Sequence, residues 1–350
     1  MTFHAFGNNP DKGMEVFMAT VSRSISVLTV TLAMWLSACA PTGGFKITPV
    51  PADQSLQEQV VRRDPGWISD RIAMIDISGI LMNSHEPGFF SEGEHPVALL
   101  VENLAAAAHD SRVKAVVLRI NSPGGTVTAS DTLFQEIKAF KAKTGKPVVA
   151  YFQDVAASGG YYLACAADEI MAQRTTVTGS IGVIMQMVNL TNTMAKLGIE
   201  SDAIKSGPYK DTGSPFRQMR AEEREIFQGL VDGFYQQFVG VVCEGRPKLT
   251  RDEVLKLADG RVYSAEQALS AGLIDRIGTL TDAIDAAKAR AGLKRAITVR
   301  YLRPMEWAPN IYAQSPAPPA AGTNINFLHL NLPFFWTNRP TFMYIWRSEG

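Results

Sequence analysis

Strand-like and helix-like segments alternate through the middle of this chain, and this alternation constrains its fold most strongly. The run VKAVVLRIN (113–121) is continuously apolar and rich in β-branched residues, as in a strand buried on both faces. An amphipathic segment follows it and ends at Gly145, and a second apolar strand, KPVVAYFQDVA, comes next. Residues 71–81 and 96–113 give the same order of strand and helix ahead of them. The order predicts an α/β fold with a mainly parallel sheet and flanking helices.

The flanks of the chain differ in composition from this middle part. Residues 220–246 carry apolar side chains at helical spacing over a long stretch, and two or three shorter helices follow. A Pro- and Ala-rich stretch then precedes a strongly apolar, aromatic C-terminal segment. The predicted organisation is a signal peptide (1–39), a tether (40–69), a folded domain (70–295), a linker (296–324) and an apolar tail (325–350).

The amino-terminal region has the features of an export signal. An apolar stretch from Ile25 to about Ala38 follows Arg23 and is too short to span a bilayer of roughly 30 Å comfortably. It ends in Leu-Ser-Ala-Cys, which resembles the lipobox of bacterial lipoproteins and marks Cys39 as the lipidation site. An uncleaved anchor with a chance cysteine is the alternative, and Met18 is a candidate start. Both interpretations place the bulk of the chain outside the cytoplasm.

Composition excludes several classes of function. Lys plus Arg and Asp plus Glu each number 34, so no overall field favours nucleic acid. Besides Cys39 the chain has Cys165 and Cys243, without zinc spacing, so neither a metal site nor a disulfide framework is expected. Cys165 lies in an apolar run and is interpreted as a core residue. No cofactor is predicted.

Two glycine-containing segments, each after a predicted strand, are candidates for a catalytic site. In NSPGGTV, Gly124 and Gly125 permit backbone geometries that direct N–H groups into a cleft, as an oxyanion hole requires. In QDVAASGGYY, Ser158 would open a helix and is a candidate nucleophile. The alternative is that Ser158 only caps the helix, a common role of serine.

A serine nucleophile needs a base, and histidine is not available in the usual chain order. His329 is the one histidine after Ser158, and it lies beyond the linker; His85, His95 and His109 precede Ser158 without a signature setting. Lysine is the remaining candidate, provided that its pKa is lowered. The segment KSGPYKDTGSPFR (205–217) is the most unusual setting for one.

Four motifs in order, SPGG, ASGGYY, TGSIGVI and SGPYKDTGSP, resemble the signal peptide peptidase A family of membrane-bound serine peptidases. The resemblance covers about residues 70–295. It implies a Clp/crotonase-like superhelical α/β fold and a Ser-Lys dyad, with Ser158 as nucleophile and Lys210 as general base. It further implies that Ser180 positions the lysine and that Gly124 and Gly125 form the oxyanion hole.

The resemblance also implies substrates, partners and location. The expected substrates are signal peptides and other membrane-associated peptides, and the expected assembly is a homo-oligomeric ring. The chain is expected on the exported, periplasmic side of a membrane, held by a lipid. Two other functions stay open: a non-catalytic membrane scaffold and a crotonase-like acyl-CoA enzyme. The aromatic tail is expected to dock on its own domain, or else on a neighbouring subunit or the membrane surface; the hypothesis offered is that it packs on an adjoining protomer or near the substrate groove.

Overall fold

The computed structural model describes residues 55–83, 95–302 and 342–346. Its strands are β1 (Gln57–Arg63), β2 (Arg71–Leu81), β3 (Val113–Thr126), β4 (Val148–Ala157), β5 (Glu169–Ala172), β6 (Val177–Gly179), β7 (Ile184–Met185), β8 (Val262–Ser264), β9 (Arg276–Ile277), β10 (Ile297–Leu302) and β11 (Phe342–Ile345). Its helices are α1 (Pro96–His109), α2 (Val127–Thr144), α3 (Gly159–Ala164), α4 (Thr191–Lys196), α5 (Ala221–Gly245), α6 (Arg251–Leu257), α7 (Ala265–Ser270) and α8 (Leu280–Arg290).

These strands belong to one mixed sheet whose main path has the order β1-β10-β2-β3-β4-β5-β9. Neighbours from β10 to β9 are parallel, and β1 pairs with β10 antiparallel. β6 continues the sheet parallel to β4 where β5 leaves it, and β8 pairs with β6 antiparallel. The prediction of an α/β fold with a mainly parallel sheet is confirmed.

Both faces of the central strands are buried, which explains their continuous apolar sequences. Along β3, Val116 and Leu118 belong to the core shared with α1 and α2, whereas Ala115 and Val117 face the core shared with α8. The alternation follows from the two-residue period of a strand. A run without polar alternation therefore specifies a strand between two helical layers.

Helix α2 ends at Gly145, as the sequence predicts, and begins at Val127 with Thr126 as its cap. Thr126 Oγ1 accepts a hydrogen bond from Ala129 N at 3.3 Å and caps the first turn. At the other end, Gly145 adopts φ 65° and its N–H donates to Lys141 O at 2.9 Å. Glycine is favoured there because a left-handed residue ends the helix without a Cβ penalty. Helix α2 thus follows directly after the last residue of β3.

Parts of the flanks belong to the sheet. The predicted tether, 40–69, contains β1, and the predicted linker, 296–324, contains β10. The two pair with each other, with Val60 opposite Val299. Each is short, and its pairing partner lies more than 200 residues away in the sequence, so local periodicity gave no sign of the strand. The predicted signal peptide and Cys39 lie outside the described residues.

Strand β3 continues through the SPGG motif, which the sequence analysis placed after the end of the strand. Gly124 pairs with Ile80 and Gly125 with Leu81 on β2. On the other side β4 follows β3 only to the pair of Ser122 with Ala156 and then diverges. The last residues of β3 therefore have an open edge, and β11 of the aromatic tail pairs with this edge antiparallel.

Candidate active site

The candidate residues Gly124, Gly125, Ser158 and Ser180 lie at the carboxyl ends of three neighbouring parallel strands, β3, β4 and β6. The register of β4 and β6 pairs Ala157 with Gly179, so Ser158 and Ser180 follow directly opposed residues. Ser158 N–H donates to Gly179 O at 2.7 Å. The sheet thus brings together residues that are up to 56 positions apart in the sequence. In parallel sheets, ligands bind at this end of the strands.

The side chain of Ser158 does not cap helix α3. It precedes helix α3 with φ 52° and ψ −115°, and its hydroxyl makes no capping hydrogen bond. The side chain is 1% exposed, and Oγ has no hydrogen-bond partner among the described residues. A buried, unpaired hydroxyl is unfavourable by about 1–3 kcal/mol, and strained backbone concentrates at functional sites. The alternative of a capping serine is therefore wrong.

Ser180 shares the strained backbone of Ser158. In the described ranges these two serines are the non-glycine residues with positive φ, and Ser180 has φ 50°. Ser180 is buried, and its N–H donates to Arg261 O at 2.8 Å, beside β8. The adjacent strands thus hold two serines in fixed, unusual conformations next to each other. Its role towards the lysine stays a prediction.

Three glycines, Gly124, Gly125 and Gly159, lie close together where β11 meets the end of β3. Gly124 N–H donates to Ser122 Oγ at 3.1 Å, so the other backbone donors of this glycine group are the N–H groups of Gly125 and Gly159. A Cβ built on Gly124 would lie 2.6 Å from Gly159 N and 2.0 Å from Tyr344 O. The carbonyl of Tyr344 in β11 therefore lies beside these donors.

Close packing explains why glycine occupies these positions. A Cβ on Gly125 would lie 1.9 Å from Leu81 O, and a Cβ on Gly159 would lie 2.2 Å from Ser130 Oγ. Neither contact is possible for a real Cβ, so these two positions require glycine. Gly159 was missed by the sequence analysis, although its place directly after a candidate nucleophile was a usable signal.

Lys210 makes no hydrogen bond to Ser158 in the described part of the chain. Its side chain is exposed and makes no hydrogen bond to the described residues, and Ser158 Oγ has no partner there. The neighbouring Asp211 bonds to Lys205 Nζ at 2.6 Å and to Arg217, not to Lys210. The structure therefore groups the predicted serines and glycines but does not join the predicted base to them.

The segment that carries Lys210 is fixed by an ionic cluster at the start of α5. Arg217 bonds both oxygens of Asp211 at 2.8 Å and both oxygens of Glu223, at 2.6 and 2.9 Å. Glu223 is fully buried and also accepts from Arg220. The hydrogen bonds from Arg217 hold the pKa of Glu223 and of Asp211 well below the usual range. The loop that carries Lys210 is thus held in place by ion pairs to the start of α5.

An apolar surface surrounds this loop. Large apolar side chains are exposed from β7 through the first half of α5, which is unusual for residues of a folded domain. They are Ile184, Met187, Val188, Leu197, Ile199, Ile204, Tyr209, Phe216, Ile226 and Leu230.

Other candidates from the sequence have structural roles. Cys165 is buried, and burial raises the pKa of its thiol to about 12, as expected for a core cysteine. His95 caps α1, and His109 is exposed at the end of the same helix; His85 and His329 lie outside the described residues. Within the described ranges, no group of side chains is arranged to hold a metal ion, and no helix is long and apolar enough to cross a membrane.

Comparison with known proteins gives a family match and several relatives. Residues 140–294, which include Ser158, Ser180 and Lys210, match peptidase family S49. The chain is 35% identical over 238 residues to the putative signal peptide peptidase SppA of Enterococcus faecium, covering 68% of this chain and 69% of that protein. It is 39% identical over 214 residues to a putative protease of Methanocaldococcus jannaschii, with coverage of 61% and 68%. The chloroplastic serine protease SPPA of Arabidopsis thaliana is 37% identical over 247 residues, 69% of this chain and 36% of that protein.

Proposed function

The chain belongs to peptidase family S49 and is a serine-type peptidase, and from this premise we propose that Ser158 and Lys210 cleave signal peptides and other membrane-associated peptides. The observation that carries the proposal is the buried hydroxyl of Ser158, which has no hydrogen-bond partner among the described residues and lies in a strained turn next to Gly159. The substrate class rests on the name of the Enterococcus relative. Membership of a peptidase family weighs against the acyl-CoA enzyme and the scaffold.

The proposed reaction is acyl transfer to serine followed by hydrolysis. Neutral Lys210 takes the proton of Ser158 Oγ as the oxygen attacks the substrate carbonyl carbon. The N–H groups of Gly125 and Gly159 stabilise the oxyanion. When the C–N bond breaks, the lysine returns the proton to the leaving amine. Water, deprotonated by the same lysine, then attacks the acyl-enzyme; the ester C–O bond breaks, the lysine returns the proton to Ser158 Oγ, and the acid leaves.

The base is proposed to come from a neighbouring copy of the chain. Ser158 lacks a base among its own described residues, and Lys210 is exposed on a braced loop within the apolar surface listed above. A second copy that covers this apolar surface would bring its loop towards the neighbouring serine. Repeating this head-to-tail contact closes a ring, in agreement with the oligomer expected from the sequence.

Two variants test the dyad directly. Cleavage of a synthetic signal peptide by the full chain is compared with Ser158→Ala and Lys210→Ala, with Lys196→Ala as a control for an exposed lysine outside the site. We expect the two dyad variants to fold and to lose cleavage, and the control to retain it. Cleavage by Lys210→Ala at the control rate would show that another group is the base.

Mixing the two inactive variants tests the assignment of the base to a second copy. If each site combines the serine of one copy with the lysine of the next, an equal mixture recovers about a quarter of the wild-type rate. If serine and lysine belong to the same chain, the mixture stays as inactive as its components. Sedimentation of the same samples reports the oligomeric state.

Membrane attachment is proposed separately, from the sequence of the amino-terminal region. Export followed by lipidation of Cys39 would hold the domain at the outer surface of a membrane, where spent signal peptides are concentrated. Incorporation of labelled fatty acid in cells should occur in the wild-type chain and be absent in Cys39→Ser. Incorporation in both would place the lipid elsewhere.

A further inference from the structure

The amino ends of the parallel strands lie at the opposite end of the sheet from the candidate site, and the loops that lead into these strands contact one another. Arg71 N–H donates to Arg112 O at 2.7 Å, and Ile297 N–H donates to Asp70 O at 2.9 Å. The loop after α2 joins them, because Lys146 Nζ donates to a carbonyl group in the last turn of α1. We call this surface the basic pole, and it comprises residues 62–70, 110–114, 141–147 and 288–296.

Exposed cations outnumber the carboxylates that could neutralise them at the basic pole. Three carboxylates at or beside it, Asp64, Asp110 and Asp168, are each bonded by a neighbouring lysine or arginine. Asp70 is half-buried and makes no ion pair to the described residues. Five basic side chains are exposed and make no ion pair to the described residues: Arg63, Lys114, Lys143, Lys294 and Arg295. Five positive charges less the one negative charge of Asp70 leave a net charge of +4.

Two other lysines already bond the helix ends at this pole. The carboxyl end of a helix attracts cations, and α1 and α2 both end here. Lys146 Nζ donates to Ala107 O at 2.6 Å, and Lys141 Nζ donates to Ala166 O at 2.8 Å, just after α3. Of the five exposed cations, three make no hydrogen bond to the described residues, and the other two each donate to one backbone carbonyl. The charges of these five side chains can therefore contact a partner.

Trp67 lies at the basic pole, on the turn between β1 and β2, and its side chain is 104% exposed. The turn is held in place, since Asp64 N–H donates to Ala296 O at 3.3 Å and Asp64 Oδ2 accepts from Lys288 Nζ at 2.9 Å. The next residue, Ile68, packs against the core. Within the described part of the pole, Trp67 is the only large apolar side chain that is exposed. A fully exposed tryptophan on a fixed turn is unusual in a folded domain and indicates a contact surface.

We propose that the basic pole binds the anionic surface of a lipid bilayer, with the indole of Trp67 in the headgroup region. Each exposed cation near an anionic bilayer raises the affinity about fivefold, and tryptophan favours the interface between membrane and water. An acidic protein would also contact the cations, but the core of a protein interface is a group of apolar and aromatic side chains, and the pole exposes only Trp67. One indole surrounded by cations therefore favours lipid as the partner.

This contact is compatible with the attachment proposed for Cys39. Seventeen residues lie between Cys39 and Gln57 at the start of β1, enough to extend about 60 Å. The fourteen residues of β3 extend about 46 Å. A lipid on Cys39 and the basic pole can therefore contact the same bilayer. The contact does not depend on the proposed role of Ser158, and it would turn the candidate site away from the bilayer.

Quenching of tryptophan fluorescence by brominated lipid tests this orientation. The full chain is mixed with vesicles of about 30% phosphatidylglycerol in brominated phosphatidylcholine, and the emission of the matched variant Trp67→Phe is subtracted to isolate the emission of Trp67. We expect the emission of Trp67 to fall about twofold or more relative to vesicles without bromine. A chain that does not bind these vesicles, or one that binds them without quenching of Trp67, would overturn the proposal.

Charge variants test the contribution of the cations, with the same subtraction. Lys143→Gln with Lys294→Gln removes two of the five exposed charges, so we expect the contact to weaken about 25-fold and the quenching of Trp67 to be lost. Lys196→Gln with Lys256→Gln is the control, because it removes two exposed lysine charges outside the pole. Equal quenching in the two double variants would overturn the proposal.

Two further measurements identify the partner and separate the contact from catalysis. If soluble polyglutamate bound as tightly as the vesicles, and equally to the wild type and to Trp67→Phe, the pole would belong to an acidic protein and the assignment to lipid would be wrong. Cleavage of a soluble peptide by the basic-pole variants should equal the wild-type rate, because the substituted residues lie at the opposite end of the sheet from Ser158. A joint loss of quenching and cleavage would show that the two lysines support the fold, which would also overturn the proposal.

Discussion

Gly124→Ala is the substitution that most sharply tests the geometry of the oxyanion site. Gly124 has φ 102°, a conformation that strains any residue with a Cβ by about 1–3 kcal/mol. The added Cβ would lie 2.0 Å from Tyr344 O, whereas carbon and oxygen normally approach to about 3.3 Å. A carbonyl at this position must therefore move by more than about 1 Å, which takes it out of hydrogen-bond range of the donors.

The expected loss of activity follows from the loss of donor contacts. Removing one oxyanion donor typically lowers kcat by about 10²–10³-fold, and displacement of the carbonyl affects the donors of both Gly125 and Gly159. We expect Gly124→Ala to lower kcat/KM for a peptide substrate by at least about 10²-fold. The measurement is peptide cleavage by the full chain, with urea unfolding of the same samples.

Gly145→Ala is the matched control. Gly145 also has positive φ, 65°, but a Cβ there would meet nothing within 4 Å. This variant should lose about 1–2 kcal/mol of unfolding free energy through backbone strain and keep its activity. If Gly124→Ala retained activity within about threefold of Gly145→Ala, the position assigned to the oxyanion would be wrong.

Two further predictions concern buried charges. Arg119 and Arg300, each 1% exposed, both donate to the carboxylate of Asp76. Asp76→Ala removes this carboxylate and should lower the unfolding free energy by about 3–5 kcal/mol in urea titrations. A loss below about 1 kcal/mol would show that the carboxylate does not stabilise the two buried arginines. The hydrogen bonds from Arg217 lower the pKa of Glu223 in the folded chain. The ionised Glu223 therefore stabilises the fold fully at pH values above the pKa of an unfolded glutamate, about 4.3. This stabilisation is lost as the pH falls through the lower pKa of the folded state. In limited proteolysis, the start of α5 around Glu223 should be protected at about pH 5 and become sensitive only in stronger acid. The Glu223→Gln variant should be sensitive at about pH 5 as well as in stronger acid.

The central fold followed from the sequence because its signals are local. The strand predicted over 71–81 is β2, the long helix predicted over 220–246 is α5, and the predicted end of α2 at Gly145 is its actual end. Buried strands and amphipathic helices carry their periodicity in their own residues. The flanking strands β1 and β10 are too short to give such a signal. They are held in the sheet by pairing, β1 with β10 and β10 also with β2.

The site was predictable only in part, for a similar reason. Strand β3 was predicted over 113–121, ahead of the SPGG motif, yet it continues through Pro123, which lacks the N–H that a ladder requires. The structure tolerates it because the register of β3 against β2 and β4 shifts around this point and β4 soon diverges. The unpaired hydroxyl of Ser158 and the exposure of Lys210 depend on tertiary structure and had no signal in the sequence.

The covalent attachment of β11 to the rest of the chain has a kinetic consequence. Thirty-nine residues separate Leu302 at the end of β10 from Phe342 at the start of β11. A segment tethered in this way has an effective concentration in the millimolar range at the edge of β3 with which it pairs. A free peptide at micromolar concentration competes at a disadvantage of about 10³-fold, unless it binds that much more tightly. Peptides that are locally concentrated would therefore displace β11 from the edge of β3, whereas dilute peptides would not.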